Sequence, residues 1–208
     1  MADLPLALEP PLDDALSRAL DVEGKIPRAL EALGPLAARD VVLVGGGPLE
    51  ARRLEEAGAR VTAIAAATQD DEARWPVPDG QADAVVAAWS SFRGVDPAEL
   101  AAAERVLRPG GRLLVVHDYG RDDVSRLRGD QPEHRLWSRR DGPFLSAGFR
   151  IRVIHCFWTF ESLESARDFL AAAFGAVGRE FAATLSRPRL SYNVAVYHRT
   201  RGGAAAPA

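Results

Sequence analysis

Three neighbouring residues, His117-Asp118-Tyr119, place a group that titrates near neutrality beside a carboxylate and a phenol. They follow the apolar run Leu113-Leu114-Val115-Val116, so they stand where a buried strand ends, the place at which open α/β sheets meet their ligands. His117 could there take a proton from a substrate hydroxyl or amine, or it could satisfy a local backbone group. A second run, Val41-Val42-Leu43-Val44, leads into Gly45-Gly46-Gly47, where the absent side chains let a backbone turn sharply and approach a ligand. Trp89, followed by Ser90, Ser91 and Phe92, ends a third apolar run; its indole could stack on a ligand ring or simply fill space. Cys156, between Ile154 and Phe157-Trp158, reads as an inert buried thiol. No His, Cys, Asp or Glu grouping has the spacing of metal ligands, and no metal is expected.

The elements that must position these residues follow from periodicity. Leu12, Leu16 and Leu20, then Ile26, Leu30 and Leu33, recur at helical spacing, with Gly24 and Pro27 dividing two helices and Gly34-Pro35 stopping the second. Strands are predicted at 41–44, 60–65, 82–89 and 111–119, with helices at 48–57 and 97–107 and a turn at Pro109-Gly110-Gly111. A long strand at 149–160 is followed by a helix over 163–174 capped by Ser162, a further helical stretch at 176–185 and a last strand at 191–199. Segment 121–140 mixes Arg with Asp and reads as a surface loop or a lid. Strands alternating with helices argue a doubly wound α/β sheet. The division expected is an N-terminal helical segment at 1–40, an α/β domain at 41–200 and a flexible tail at 201–208.

Composition narrows the partners. The 208 residues, 47% of them hydrophobic, suffice for one core, and a net charge of −3 supplies no basic field for nucleic acid. No apolar run reaches the length of a membrane span, and the start MADLPLALEPPLDD is no signal peptide. A single cysteine fits a reducing cytoplasm. Lys25 is the lone lysine among the basic residues, which reads as genome composition, with a bacterial source expected.

Three segments, in order, resemble the class I S-adenosylmethionine-dependent methyltransferases of the type 11 kind. They are VVLVGGGPLEARRLEEAGARVTAI, WPVPDGQADAVVAAWSSF and AELAAAERVLRPGGRLLVV, and the closing SLESARDFLAAAFG…YNVAVYHR fits the same pattern. The resemblance implies a Rossmann-like, mostly parallel sheet with an antiparallel last strand. It also implies a cofactor, S-adenosylmethionine, held by Gly45, Gly46 and Gly47, with Asp71 matching the adenine contact and Trp89 facing the crevice. Asp71, with Asp70 and Glu72 beside it, reads equally as a solvated acidic loop.

The chain departs from that pattern in ways that weaken the grip. Leu43 stands where the family has an acid, Pro48 and Leu49 replace the end of the glycine loop, and Ala65 takes the place of the carboxylate that binds both ribose hydroxyls. The QDDEARWPVPDG passage follows Ala65 within a few residues, too few for a parallel crossover. The family's third strand and its preceding helix are therefore expected to be missing. Two functions follow. One is a methyltransferase-like protein with a degenerate cofactor site, a non-catalytic binding or partner subunit working with a protein, a small molecule or a second copy of itself. The other is an active methyltransferase on a small molecule.

Overall fold

The computed structural model describes Leu6 and residues 8–66, 75–129 and 132–202, the side chains of 132–134 excepted. Two short helices, α1 (Leu12–Ala19) and α2 (Lys25–Leu33), lead into β1 (Asp40–Val44), α3 (Pro48–Glu56) and β2 (Arg60–Ile64). Then come β3 (Ala82–Ala88), α4 (Pro97–Val106), β4 (Leu107–Asp118), α5 (Asp123–Arg128), α6 (Pro132–Trp137) and α7 (Pro143–Ser146). The chain closes with β5 (Arg150–Thr159), α8 (Leu163–Thr184) and β6 (Arg189–Thr200).

The six strands form one sheet in the order β2-β1-β3-β4-β6-β5. The first four are mutually parallel, and β6 runs antiparallel to both β4 and β5. The mostly parallel sheet with an antiparallel last strand is the arrangement expected. Among the described residues of the link between β2 and β3 there is neither helix nor strand, and β2 pairs only with β1. An edge strand can be lost without opening the core, and β2 accordingly exposes Arg60, Thr62 and Ala63 while burying Ile64.

Burial on both faces explains the unbroken apolar runs. Leu43, Val86, Leu114 and Val116 face a layer containing Leu16, Leu30, Leu54 and Leu170 from α1, α2, α3 and α8. Their neighbours Val42, Val85, Leu113 and Val115 face the opposite layer, with Val106 of α4 and Phe144 of α7. Phe144 stacks on Tyr197 at 3.8 Å between ring centroids. The N-terminal helices share a core with the sheet and add a bridge between Leu20 and Trp158. Trp75 is buried against Phe92, with 5.5 Å between ring centroids.

Several local expectations change. Pro27 lies inside the first turn of α2, where its missing N–H costs no helical bond. Gly34 ends α2, in an extended conformation (φ −163°). The Pro109-Gly110-Gly111 turn is a loop within β4, since Ala82 pairs with Leu107 and Ala84 with Arg112. Segment 121–140 contains α5 and α6. The two helical stretches expected on either side of Gly175 are present, joined at that residue, whose φ is +59°. Ser162 caps α8 through a reciprocal capping box with Ser165. Residues 203–208 of the expected tail lie outside the described residues. No helix among the described residues is long and apolar enough to cross a membrane.

At the amino ends of the parallel strands, charges tie β1, β2 and β3 together. Asp40 accepts from Arg60 at 2.7 Å and Arg108 at 3.0 Å, while Asp83 pairs with Arg108 at 2.6 Å and accepts the Asp40 N–H at 3.0 Å. Hydrogen bonds from Arg60, then Arg108, pull the Asp40 carboxyl down to about 2. Its stabilisation is therefore complete above the unfolded value of ~3.9 and lost as pH falls through the folded one. With 38% of the side chain exposed, solvent screens the pair, so Asp40→Asn should cost less than about 1 kcal/mol at neutral pH. Urea unfolding should show the gap from the parent closing between pH ~4 and ~2; a gap unchanged across that window would show that the carboxylate's charge is not what stabilises.

Candidate functional site: the carboxyl-end crevice

The loop leaving β1 is packed tight. Gly45 has φ +68°, and its N–H donates to the Ile64 carbonyl at 2.8 Å. A Cβ at this glycine would lie 2.2 Å from Ser90 Oγ and 3.0 Å from Ala66 Cβ. Both the backbone sign and the crossing of the β3 end therefore demand glycine here. A Cβ at Gly46 would meet the Leu43 side chain at 2.7 Å. Leu43 itself is fully buried, so the position where the resemblance places an acid is part of the core. Gly47 precedes Pro48 at the start of α3 and gives no side-chain cap, and Leu49 packs into the helical layer. Ala65 follows β2 and is exposed.

At the ends of β3 and β4, four side chains close on one another. Trp89 adopts φ +48° and is 9% exposed, and its Nε1–H lies 3.0 Å from both Asp118 Oδ1 and the Tyr192 hydroxyl. Tyr192 O–H donates to the same Asp118 oxygen, and Arg128 of α5 forms an ion pair with the other. Burial, reinforced by the Asp118 charge, raises the Tyr192 pKa well above its ordinary value, so the phenol remains a donor. The space left among Asp118, Gly120, Arg128 and Tyr192 is about 10 Å³, room for no more than one water.

α5 is fixed against β6 by its own acids. Asp122 accepts from Ser125 N–H at 2.7 Å and Asn193 N–H at 2.8 Å, and Asp123 accepts from the N–H and hydroxyl of Ser191 at 2.8 and 2.7 Å. Burial would raise the Asp123 carboxyl, but the hydrogen bonds from Ser191 and Arg126 outweigh it and the net shift is downward. These carboxylates anchor a helix.

The residues singled out in sequence do not converge. Successive strand positions face opposite ways: Asp118 joins Trp89, whereas His117 turns to the other layer, 5.2 Å from the Trp137 ring, and Tyr119 packs in that layer as well. Trp89 fills space and hydrogen-bonds inward. Asp71 lies outside the described residues. Cys156 is buried, with burial raising its thiol to about 12, which leaves no thiolate near neutrality. Among the described residues, no three His, Cys, Asp or Glu side chains could hold a metal ion. Arg128 and Tyr192 were not singled out. A buried tyrosine needs a hydroxyl partner, which marks Tyr192 once the final strand is read; nothing distinguishes Arg128 from the arginines around it.

The described residues do not fit the adenosyl grip that the resemblance implies. Ser90 occupies the approach to Gly45, and Ala65 brings a methyl group where a ribose needs a carboxylate. Gly45→Ala should destabilise by more than ~1 kcal/mol through left-handed strain and overlap together. Adding Ser90→Gly should recover the overlap part only; no recovery would mean that the ends of β1 and β3 are not in contact. Arg128→Ala strips a nearly buried charge of its partner and should cost about 3–5 kcal/mol in urea unfolding. The pair Asp118→Asn with Arg128→Met should cost clearly less, and a loss from Arg128→Ala under ~1 kcal/mol would show the pair to be solvent-screened.

No protein-family model matches the chain, and no curated protein matches it by sequence. Solved structures do. One assigned as a type II methyltransferase from Anaeromyxobacter dehalogenans superposes with a TM-score of 0.50 at 18% identity, covering 85% of this chain and 95% of its own. One assigned to an antibiotic biosynthesis pathway methyltransferase from Anabaena variabilis gives 0.50 at 12% identity, covering 87% and 98%. A SAM-dependent methyltransferase from Aquifex aeolicus gives 0.46 at 18% identity, covering 92% and 98%. With its parallel strands in the order described and its antiparallel β6, the chain has the fold of the class I S-adenosylmethionine-dependent methyltransferases.

Proposed function

We propose that the chain is a non-catalytic member of this fold, a binding or partner subunit whose cofactor crevice is occupied by its own side chains. The observation that carries this reading is the pair of contacts at the end of β3: Ser90 against Gly45, and Trp89 locked to Asp118 and Tyr192. Ala65 adds to it. Two charge-assisted hydrogen bonds to a ribose, each worth ~1.5–3 kcal/mol, have no acceptor at that position. Their loss is worth on the order of a hundredfold or more in affinity. The partner is a protein, a small molecule or a second copy of the chain. The net charge of −3 supports neither nucleic acid nor an anionic membrane surface, and the single buried cysteine supports a cytoplasmic setting.

The test is titration with S-adenosylhomocysteine and S-adenosylmethionine, by calorimetry and thermal shift. A ligand at ~100 times its dissociation constant stabilises by ~2.7 kcal/mol. The expected result is no heat and no shift up to millimolar ligand. Micromolar binding would overturn the proposal and favour an active methyltransferase on a small molecule.

A further inference from the structure

Beside the crevice, at the same end of the sheet, an open cavity of about 350 Å³ forms where the end of α8 and the turn 185–188 meet β5, β6 and α5. Three guanidinium groups line it, those of Arg126, Arg187 and Arg189, against the single carboxylate of Asp123. That carboxylate is already used by Ser191 and by Arg126. Among the described residues, no carboxylate lies within ion-pairing distance of Arg187 or Arg189. The lining is thus net positive in a chain whose net charge is −3.

Arg187 and Arg189 line one concavity without an ion pair among the described residues, the Glu23 carboxylate acting on Arg189 only through space, and an anion in that concavity is attracted by both guanidiniums. Arginines near the last turn of a helix do complement its negative end, but that role requires neither a cavity nor an aromatic wall. Here both are present. Phe157 and Phe181 supply apolar surface, and the Arg189 guanidinium lies 4.4 Å from the Phe157 ring centroid. That cation–π contact holds Arg189 in place while its N–H donors have no acceptor among the described residues. The guanidinium fork matches phosphate oxygens two at a time, and the hydroxyl of Ser186 adds a further donor at the rim.

We infer that this cavity binds a small aryl phosphate, the phosphate on Arg187 and Arg189 and the ring against Phe157 and Phe181. The proposed ligand contacts, Arg187, Arg189, Phe157 and Phe181, lie outside the cofactor crevice, so its test and the S-adenosylhomocysteine titration succeed or fail independently.

The experiment is calorimetric titration of the full chain with phenyl phosphate, inorganic phosphate and phenol, repeated with Arg187→Ala and with Arg187→Ala/Arg189→Ala. Phenyl phosphate should bind at least about tenfold more tightly than inorganic phosphate, with phenol giving no heat. Arg187→Ala should weaken it at least about tenfold and the double variant further, and added salt should weaken it in the parent. Arg187 is exposed in a turn, so its variant should keep the parent's thermal midpoint, which circular dichroism checks. Absence of phenyl phosphate binding at about 10 mM overturns the assignment, and so does equal affinity in the parent and the double variant. Equal affinity for phenyl phosphate and inorganic phosphate overturns the aromatic part of it.

Discussion

A carboxylate nearly out of water must be surrounded by donors, and Asp118 at the end of β4 is such a group. Its needs are met from three directions: Trp89 from the neighbouring parallel strand, Tyr192 from the antiparallel strand on the other side, and Arg128 from α5. Each answer has a structural consequence. Trp89 turns inward with a left-handed backbone, and the next residue, Ser90, then lies across Gly45. Arg128 holds the C-terminal end of α5 while Asp122 and Asp123 hold its start on β6. One charge thus fixes the ends of three strands and the helix above them.

The same end of the sheet is where this fold receives ligands. A ligand crevice requires strand ends that diverge and polar groups left without internal partners. Here the ends of β3, β4 and β6 are brought together and their polar groups bond one another, which leaves space on the scale of a single water between Asp118, Tyr192 and α5. The shortened path between β2 and β3 acts in the same direction, because β2 becomes the edge and its final residues present small side chains. At the opposite end, Asp40 and Asp83 pair with Arg60 and Arg108 across the strands.

Against this network stands a cavity a short way along the sheet edge, positive and partly aromatic, in which Arg126 pairs with Asp123 while Arg187 and Arg189 have no ion pair among the described residues. In one region the charges are matched by hydrogen-bonded neighbours, while in the other two guanidiniums have no ion pair among the described residues. Satisfied polar groups stabilise a fold, and unsatisfied ones in a concave setting are available for recognition.

The succession of strands and helices along the chain and the break at Gly175 were legible because they depend on local pattern. Runs such as Val41–Val44 suit a strand buried on both faces, and Gly175 interrupts helical spacing. The shortened link between β2 and β3 could be read from the length a crossover needs. His117, Asp118 and Tyr119 looked like one constellation because they are consecutive, yet the pleat sends them to opposite faces. What only the folded chain decided were the contacts between residues far apart in sequence: Asp118 with Tyr192 and Arg128, Ser90 with Gly45, and Arg187 and Arg189 beside Phe157. Periodicity fixes which way a side chain points relative to its own backbone. Which partner it meets depends on register and on the loops that bring strand ends together, and no local pattern encodes those.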